Sequence, residues 1–371
     1  MFLRGFVMLC LALLLAFTSL APTTAQSTPA TPTLREMADK NKFYVGAAVY
    51  TYHLSDPLHV ETVKTQFNMM TPENEAKACE LQKARGVFNF TKMDQLMDFA
   101  EQNNMVFRGH TLVWHSCTPN WFSNGKFSRD EAIQILRDHI MTVVGRYKGR
   151  IPIWDVVNEG IADGNGKMRV TPWQQMIGDD YIELAFRFAH EADPEALLFY
   201  NDYGAEGMNA KSDAIYNMVK DFKARGVPID GVGLQAHLTL GDTRNGRGAS
   251  PRIMGENIKR LGELGVQVQL TEVDIKHKGE PTEDILRQEA AEYRSVLQTC
   301  LDSGYCTAFI VWGVTDKYSW LRDSRFYDNP KVAPLLFDDH YQPKPAFTAI
   351  LYLLARRPGE PPILSDDEVA I

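Results

Sequence analysis

The sequence predicts a single (β/α)8 TIM barrel of the α/β class. Eight short, apolar, β-prone runs recur along the 371 residues, and helix-like stretches with apolar residues at i, i+3 and i+4 lie between them. Strands that alternate with helices indicate a parallel sheet, and eight such units suit a barrel of about 250 residues or more. An open doubly wound sheet is the alternative, but no G-x-G-x-x-G loop follows the first strand.

The element order follows from these patterns. Strands are predicted at FYVGAAV (43–49), FNMMT (67–71), MVFRGHTLVW (105–114), IPIWDVVN (151–158), ALLFYND (196–202), GVGLQAHL (231–238), VQVQLTEVDI (266–275) and CTAFIVWGV (306–314). Helices are predicted at 91–104, 129–149, 179–193, 210–226, 251–265 and 283–304.

The N-terminus has the pattern of a signal peptide, residues 1–25. One arginine precedes the apolar run FVMLCLALLLAF, and small residues follow, with cleavage expected after Ala25. A membrane anchor is the alternative, but the run is shorter than the roughly 20 residues that a span needs. Residues 26–33 then form a polar linker, 34–356 the (β/α)8 domain and 357–371 a Pro-rich acidic tail. We therefore expect secretion, to the medium or the periplasm.

Charge and cysteine content narrow the partners and the compartment. The net charge is −8 and no Lys/Arg-rich run occurs, which disfavours nucleic acid and membrane surfaces as partners. Without the signal peptide, four cysteines remain, and an even count in an exported protein favours disulfides. The short Ser-Gly turn between Cys300 and Cys306 favours that bridge, whereas Cys79 and Cys117 are either a second bridge or two buried thiols.

Polar and aromatic residues follow the predicted strands, at the barrel face where active sites lie. In TEVDIK (271–276), Glu272 and Asp274 lie two apart and so share one face of a strand, while Glu159 ends the run IPIWDVVNE. Other strand ends carry amides, histidines and tryptophans. Tryptophan offers a flat apolar face to a sugar ring, and amides bind hydroxyls, so a neutral sugar chain is favoured over a phosphate ligand. Trp154 and Trp173 are equally well explained as core residues.

Two other chemistries are disfavoured. H-E-x-x-H is absent, and His110 and His115 in HTLVWH would point to opposite faces of a strand, so no metal site and no cofactor are expected. A G-x-S-x-G elbow, the mark of a serine hydrolase, does not occur.

From LREMADK to KPAFTAI, the chain resembles glycoside hydrolase family 10, the endo-1,4-β-xylanases. The resemblance rests on segments that occur in the family's order: TPENEAK, RGHTLVWHS, WDVVNE, YNDYG, GVGLQAHL, TEVDI, VWGVTDKYSW and PLLFDDHYQPKPAF. It implies that residues 34–356 form one catalytic domain that acts on xylan and xylo-oligosaccharides. We expect the protein to be a monomer. The implied reaction is a retaining double displacement at internal β-1,4-xylosidic bonds, which needs two carboxyl groups about 5–5.5 Å apart.

The resemblance also implies the role of each residue. Glu159 matches the acid/base, Glu272 the nucleophile, and His237 and Asp274 the residues that position the nucleophile. The positions that match sugar-binding residues are Glu73, Asn74, Lys77, His110, Trp114, Asn158, Gln235, Trp312 and Trp320.

The chain departs from the family pattern on the glycone side of the cleft. The family usually has Met-Lys-Trp where this chain has Ala76-Lys77-Ala78, and Gln where it has Cys117. We hypothesise that a Cys79–Cys117 bridge compensates for this loss. A β-1,4-glucan substrate and a non-catalytic sugar-binding barrel are the remaining alternatives; intact catalytic positions disfavour the second.

Overall fold

The computed structural model of this chain describes residues 32–242 and 250–356. The predicted signal peptide, nearly all of the linker and the acidic tail lie outside the described residues, so those divisions of the chain stay predictions. Each strand predicted from the sequence is present, and parallel strands close into a barrel. The predicted fold class is therefore confirmed.

The strand order defines the barrel. The strands are β1 (Tyr44–Val49), β2 (Met69–Pro72), β3 (Val106–Trp114), β4 (Ile153–Asn158), β5 (Leu197–Asp202), β6 (Gly231–Leu234), β7 (His237–Thr239), β8 (Gln267–Lys276) and β9 (Cys306–Val311). Neighbours run β6-β5-β4-β3-β2-β1-β9-β8, and β6 also pairs with β8, which closes the ring of eight. The short strand β7 pairs with the far end of β8.

Helices separate successive strands of the ring. They are α1 (Leu34–Lys40), α2 (Pro57–Gln66), α3 (Ala78–Leu81), α4 (Thr91–Gln102), α5 (Asn120–Ser123), α6 (Arg129–Arg146), α7 (Pro172–Ile177), α8 (Tyr181–Ala192), α9 (Ala210–Ala224), α10 (Pro251–Gly262), α11 (Glu283–Asp302) and α12 (Pro345–Ala355). The six predicted helices correspond to α4, α6, α8, α9, α10 and α11. Helices α1, α2, α3, α5, α7 and α12 are not among those predicted. The sequence of α12, PAFTAILYLLA, is apolar nearly all round, which conceals the helical period.

The sixth predicted strand, residues 231–238, is divided in the structure. It breaks into β6 and β7 because Ala236 adopts the left-handed region, with a φ of 59°. Such a conformation costs a non-glycine residue about 1 kcal/mol or more. The backbone N–H of Ala236 donates to the buried carboxylate of Glu206 at 2.9 Å. The break places His237 opposite Asp274 of β8.

A charged pair fills part of the barrel interior. The Arg108 side chain is fully buried, and its Nε donates to Asp155 Oδ2 at 2.9 Å. The guanidinium also contacts Gln269 and lies 4.7 Å from the centre of the Phe199 ring. Asp155 Oδ2 is in turn 3.0 Å from His110 Nδ1. A buried charge is tolerated only when it is paired, and Asp155 is the partner of Arg108 in the barrel interior.

Two disulfides join elements around the barrel. Cys300 of α11 is bonded to Cys306 of β9, and Cys79 of α3 is bonded to Cys117 in the turn after β3. Both pairs considered from the sequence are therefore bridges. Trp154 and Trp173 are buried core residues. No helix within the described ranges has the length and apolar character needed to cross a membrane.

Candidate active site

A cleft of 970 Å³ opens at the carboxyl ends of the strands. Its lining includes Glu73, Asn74, Lys77, His110, Trp114, Asn158, Glu159, Gln235, His237, Glu272, Trp312 and Trp320. The fold therefore brings together residues from most of the chain's length. Asp274 lies directly behind this surface, where it contacts two of the lining side chains.

Glu272 lies on β8 with both carboxylate oxygens hydrogen-bonded. Asn201 Nδ2 donates to Oε1 at 2.7 Å, and His237 Nε2 lies 3.2 Å from Oε2. Burial alone would raise the pKa of Glu272, but these hydrogen bonds and the nearby histidines outweigh it and hold the pKa below its usual value. Glu272 is thus an ionised carboxylate at neutral pH.

His237 connects the two acids of TEVDIK. Its Nδ1 is 2.9 Å from Asp274 Oδ2, on the opposite side of the ring from Glu272. Burial lowers the pKa of His237, but Asp274 and Glu272 together raise it to about 10. The ring is therefore an imidazolium that donates to both carboxylates. Trp320 Nε1 also donates to Asp274 Oδ2, at 2.8 Å, which fixes the far end of this chain of contacts.

Glu159 directly follows β4 and has a different environment. Its φ of 59° turns it out of the strand, and its N–H donates to the Asn201 carbonyl at 2.9 Å. Oε1 accepts from Asn158 Nδ2 and Gln235 Nε2, each at 3.1 Å. His115 Nδ1 lies 3.9 Å from Oε2, and burial lowers the pKa of His115, so that ring is neutral at neutral pH. The groups that directly contact the Glu159 carboxyl are therefore neutral.

Three amides connect the two glutamates. Asn158 Oδ1 accepts from Asn201 Nδ2 at 2.8 Å and from Gln235 Nε2 at 3.2 Å. Asn201 also donates a hydrogen bond to Glu272, and Gln235 also donates one to Glu159. A side-chain network thus holds both carboxyl groups in one site, although they lie 113 positions apart in the sequence (272 − 159).

The loops after β2 and β3 form another part of the cleft. Lys77 Nζ donates to Asn74 Oδ1 at 3.0 Å and lies 4.6 Å from the centre of the Trp114 ring. Burial lowers the pKa of Lys77 despite the pull of Glu272, Glu73 and Glu159. Burial likewise raises the pKa of Glu73 to about 7, although Lys77 opposes this. The Cys79–Cys117 bridge fastens these two loops to each other.

This arrangement is matched by a known family. Residues 33–353, more than half of the chain, match the family model described as Glycosyl hydrolase family 10. The chain belongs to glycosyl hydrolase family 10. It is therefore an enzyme, a glycoside hydrolase, and the alternative of a non-catalytic barrel is set aside.

Relatives of this family 10 hydrolase support the assignment. A protein from Thermotoga neapolitana named endo-1,4-beta-xylanase B is 39% identical over 328 residues, which cover 87% of this chain and 92% of the relative. The crystal structure of xylanase 10B from Thermotoga petrophila RKU-1 in complex with xylobiose has a TM-score of 0.82 and 41% identity, and covers 87% of this chain and 97% of that chain. A mutant of TsXylA, the intracellular xylanase of Thermoanaerobacterium saccharolyticum, in complex with xylotetraose has a TM-score of 0.79 and 38% identity, with 87% and 99% covered.

Asn201 and His115 approach the two glutamates of this family 10 hydrolase, but the sequence predicted no role for either. Asn201 contacts Glu272 and Asn158, and Thr271 Oγ1 donates to its Oδ1 at 2.6 Å, which fixes the amide orientation. His115 approaches Glu159. Both residues lie at or just after the end of a strand, and that position is the only signal that the sequence offers. Within residues 32–242 and 250–356, no group of three His, Cys, Asp or Glu side chains is placed to hold a metal ion.

Proposed function

We propose that this family 10 hydrolase is a secreted, retaining endo-1,4-β-xylanase that cleaves internal bonds of xylan by double displacement. The observation that carries this proposal is the unequal environment of the two glutamates. Glu272 accepts a hydrogen bond from the imidazolium of His237, whereas the Glu159 carboxyl contacts neutral groups. A cation thus holds Glu272 in the ionised form that attacks, whereas neutral side chains contact the Glu159 carboxyl, and a retaining glycosidase needs two carboxyl groups in such different environments.

In the first step, a Glu272 oxygen attacks the anomeric carbon, and the bond from that carbon to the leaving oxygen breaks. Glu159 gives its proton to the leaving oxygen, so the departing sugar chain leaves as a neutral alcohol. The product on the enzyme is an ester between Glu272 and the sugar. His237 keeps its proton throughout, because its positive charge is paired with Asp274 as well as with Glu272.

In the second step, water replaces the departed chain. Formation of the ester has removed the negative charge of Glu272, so Glu159, now ionised, takes a proton from the water. The water oxygen attacks the anomeric carbon, the ester bond breaks, and Glu272 returns as a carboxylate. Two inversions at the same carbon give a product with the original stereochemistry.

The similarity to known xylanases favours xylan as the substrate of this enzyme. The relatives named above are xylanases, and two solved neighbours are complexes, one with xylobiose and one with xylotetraose. The cleft of this chain offers tryptophan faces and amide side chains to such a neutral sugar chain.

The stereochemistry and position of cleavage test the proposal together. Proton NMR of xylohexaose hydrolysis should show the β-anomer of the new reducing end before mutarotation. On xylan, viscosity should fall early relative to the release of reducing ends, and β-1,4-glucan should be a poor substrate. Initial α-anomer would refute retention, and release of short products without loss of viscosity would refute internal cleavage.

Secretion is supported by the apolar N-terminal run and by the two disulfides, which form readily outside the reducing cytosol. Because TsXylA is named an intracellular xylanase, membership of the family does not decide the compartment. Expression of the full chain in a secreting host should yield exported protein whose N-terminus is Gln26. Full-length protein that is retained in the cytosol would contradict this.

A further inference from the structure

The cleft extends past the catalytic residues to a wall that contains Lys276 and Phe326. Lys276 is the last residue of β8. The pairing of β8 with β7 is regular from Asp274 to Lys276, so the Lys276 side chain shares a face of the strand with Asp274 and Glu272. At about 3.3 Å per residue, Lys276 lies about 13 Å along the strand from Glu272. This wall is therefore farther from the cleaved bond than one pyranose ring extends.

Phe326 is an apolar platform in this wall. The residue is 58% exposed, and its ring meets the Trp320 ring edge-on with 5.1 Å between the centroids. The loop that carries it is fastened to the segment after β8, because Tyr327 Oη and Asn329 Nδ2 both donate to the His277 carbonyl, at 2.8 and 3.1 Å. A large aromatic side chain is thus held in place with one face open to the cleft.

The charges of the wall are distributed unevenly. Arg325 is neutralised by Asp323, whose Oδ2 accepts from Arg325 Nε at 2.8 Å. Asp242 accepts the Thr239 backbone N–H at 2.8 Å. Lys276 Nζ lies 5.6 Å from the centre of the Tyr327 ring, and no carboxylate of the described residues lies within ion-pair distance of it. Lys276 is thus a cleft cation available to a ligand.

We propose that Lys276 and Phe326 form a distal subsite for a xylose unit that carries a uronic acid branch. The ring of Phe326 covers the apolar face of the backbone sugar, and the ammonium of Lys276 pairs with the branch carboxylate. This inference rests on the proposed action on xylan and assigns a substrate class to it. Acid-substituted xylan is therefore a preferred substrate of the enzyme rather than one that it merely tolerates.

Two matched substrates and two matched lysine variants test this subsite. The substrates are linear xylohexaose and a xylohexaose that carries one glucuronic acid branch. Lys276→Met removes the cleft charge, and Lys278→Met removes the same charge from an exposed residue that does not line the cleft. An exposed charge pair is worth up to about 1 kcal/mol, so Lys276→Met should lower the ratio of kcat/KM for the branched over the linear substrate about fivefold. Lys278→Met should leave that ratio unchanged.

Two further measurements separate the partners of the ligand. Salt should reduce the wild-type preference for the branched substrate, because an ion pair at an open cleft is screened. Phe326→Ala should lower kcat/KM on both hexaoses, because each loses the apolar platform for its distal sugar. An unchanged ratio in Lys276→Met, or an equal fall in Lys278→Met, overturns the subsite. If the wild-type protein does not cleave linear xylohexaose, it is the proposed function that has failed.

Discussion

Removal of the Cys79–Cys117 bridge should cost more stability than removal of the Cys300–Cys306 bridge. The paired cysteines are 38 residues apart in the first bridge and 6 apart in the second. Loop-closure entropy then gives a loss of about 4 kcal/mol for the first bridge and about 2 kcal/mol for the second at 25 °C. The two double Cys→Ser variants are matched, since each loses one bridge and keeps the other.

Guanidinium unfolding of the oxidised proteins, followed by tryptophan fluorescence, measures the free energy of unfolding of each variant. Only the variant that lacks Cys79 and Cys117 should also show a raised KM for xylo-oligosaccharides, because that bridge fastens the loops that carry Lys77 and Trp114. Equal losses of stability in the two variants would refute the loop-closure reasoning. A large loss of stability with an unchanged KM would refute the claim that the bridge supports sugar binding.

Four further predictions follow from the site and its surroundings. Glu272→Ala should abolish xylan hydrolysis, and azide should restore activity with inverted stereochemistry; a rescued product of retained configuration would contradict the nucleophile role. Glu159→Ala should impair xylan cleavage far more than cleavage of an aryl xyloside with a good leaving group, which needs little protonation, so equal losses would exclude it as the acid. Trp320→Phe keeps an aromatic face but removes the hydrogen bond that Trp320 donates to Asp274. Loss of a hydrogen bond to a charged group should lower kcat/KM by about tenfold or more. An unchanged kcat/KM would show that this contact is dispensable. Burial raises the pKa of Glu289 from its usual value of 4.5 to about 8, so the folded protein loses stability as the pH rises between these two values. Glu289→Gln should therefore show a smaller fall in Tm between pH 5 and 9 than the wild type. An identical fall would show that another group causes the loss of stability at alkaline pH.

Local patterns in the sequence were sufficient to predict the barrel and the residues at its opening. Seven of the eight strands of the ring, all except β1, end in side chains that the fold brings into one cleft, because parallel strands of a barrel all end at the same face. The break at Ala236 was not predictable, since its left-handed φ has no glycine to signal it. Asn201 received no role because its partners come from β4 and β8, and such contacts depend on the register of distant strands. The long-range bridge of Cys79 could be framed only as a hypothesis for the same reason.

The pair formed by Arg108 and Asp155 has a consequence for anyone who wishes to make this enzyme more robust. Replacing a buried ion pair with hydrocarbon is a familiar route to a more stable protein. Here Asp155 also holds His110, whose ring meets Trp312 edge-on at 5.2 Å between centroids. An apolar barrel interior would therefore remove the hydrogen-bond partner of His110, which lines the cleft. Replacing Arg108 and Asp155 would therefore raise thermal stability but lower the turnover of the enzyme. Stabilising substitutions should instead be made in the outer ring of helices.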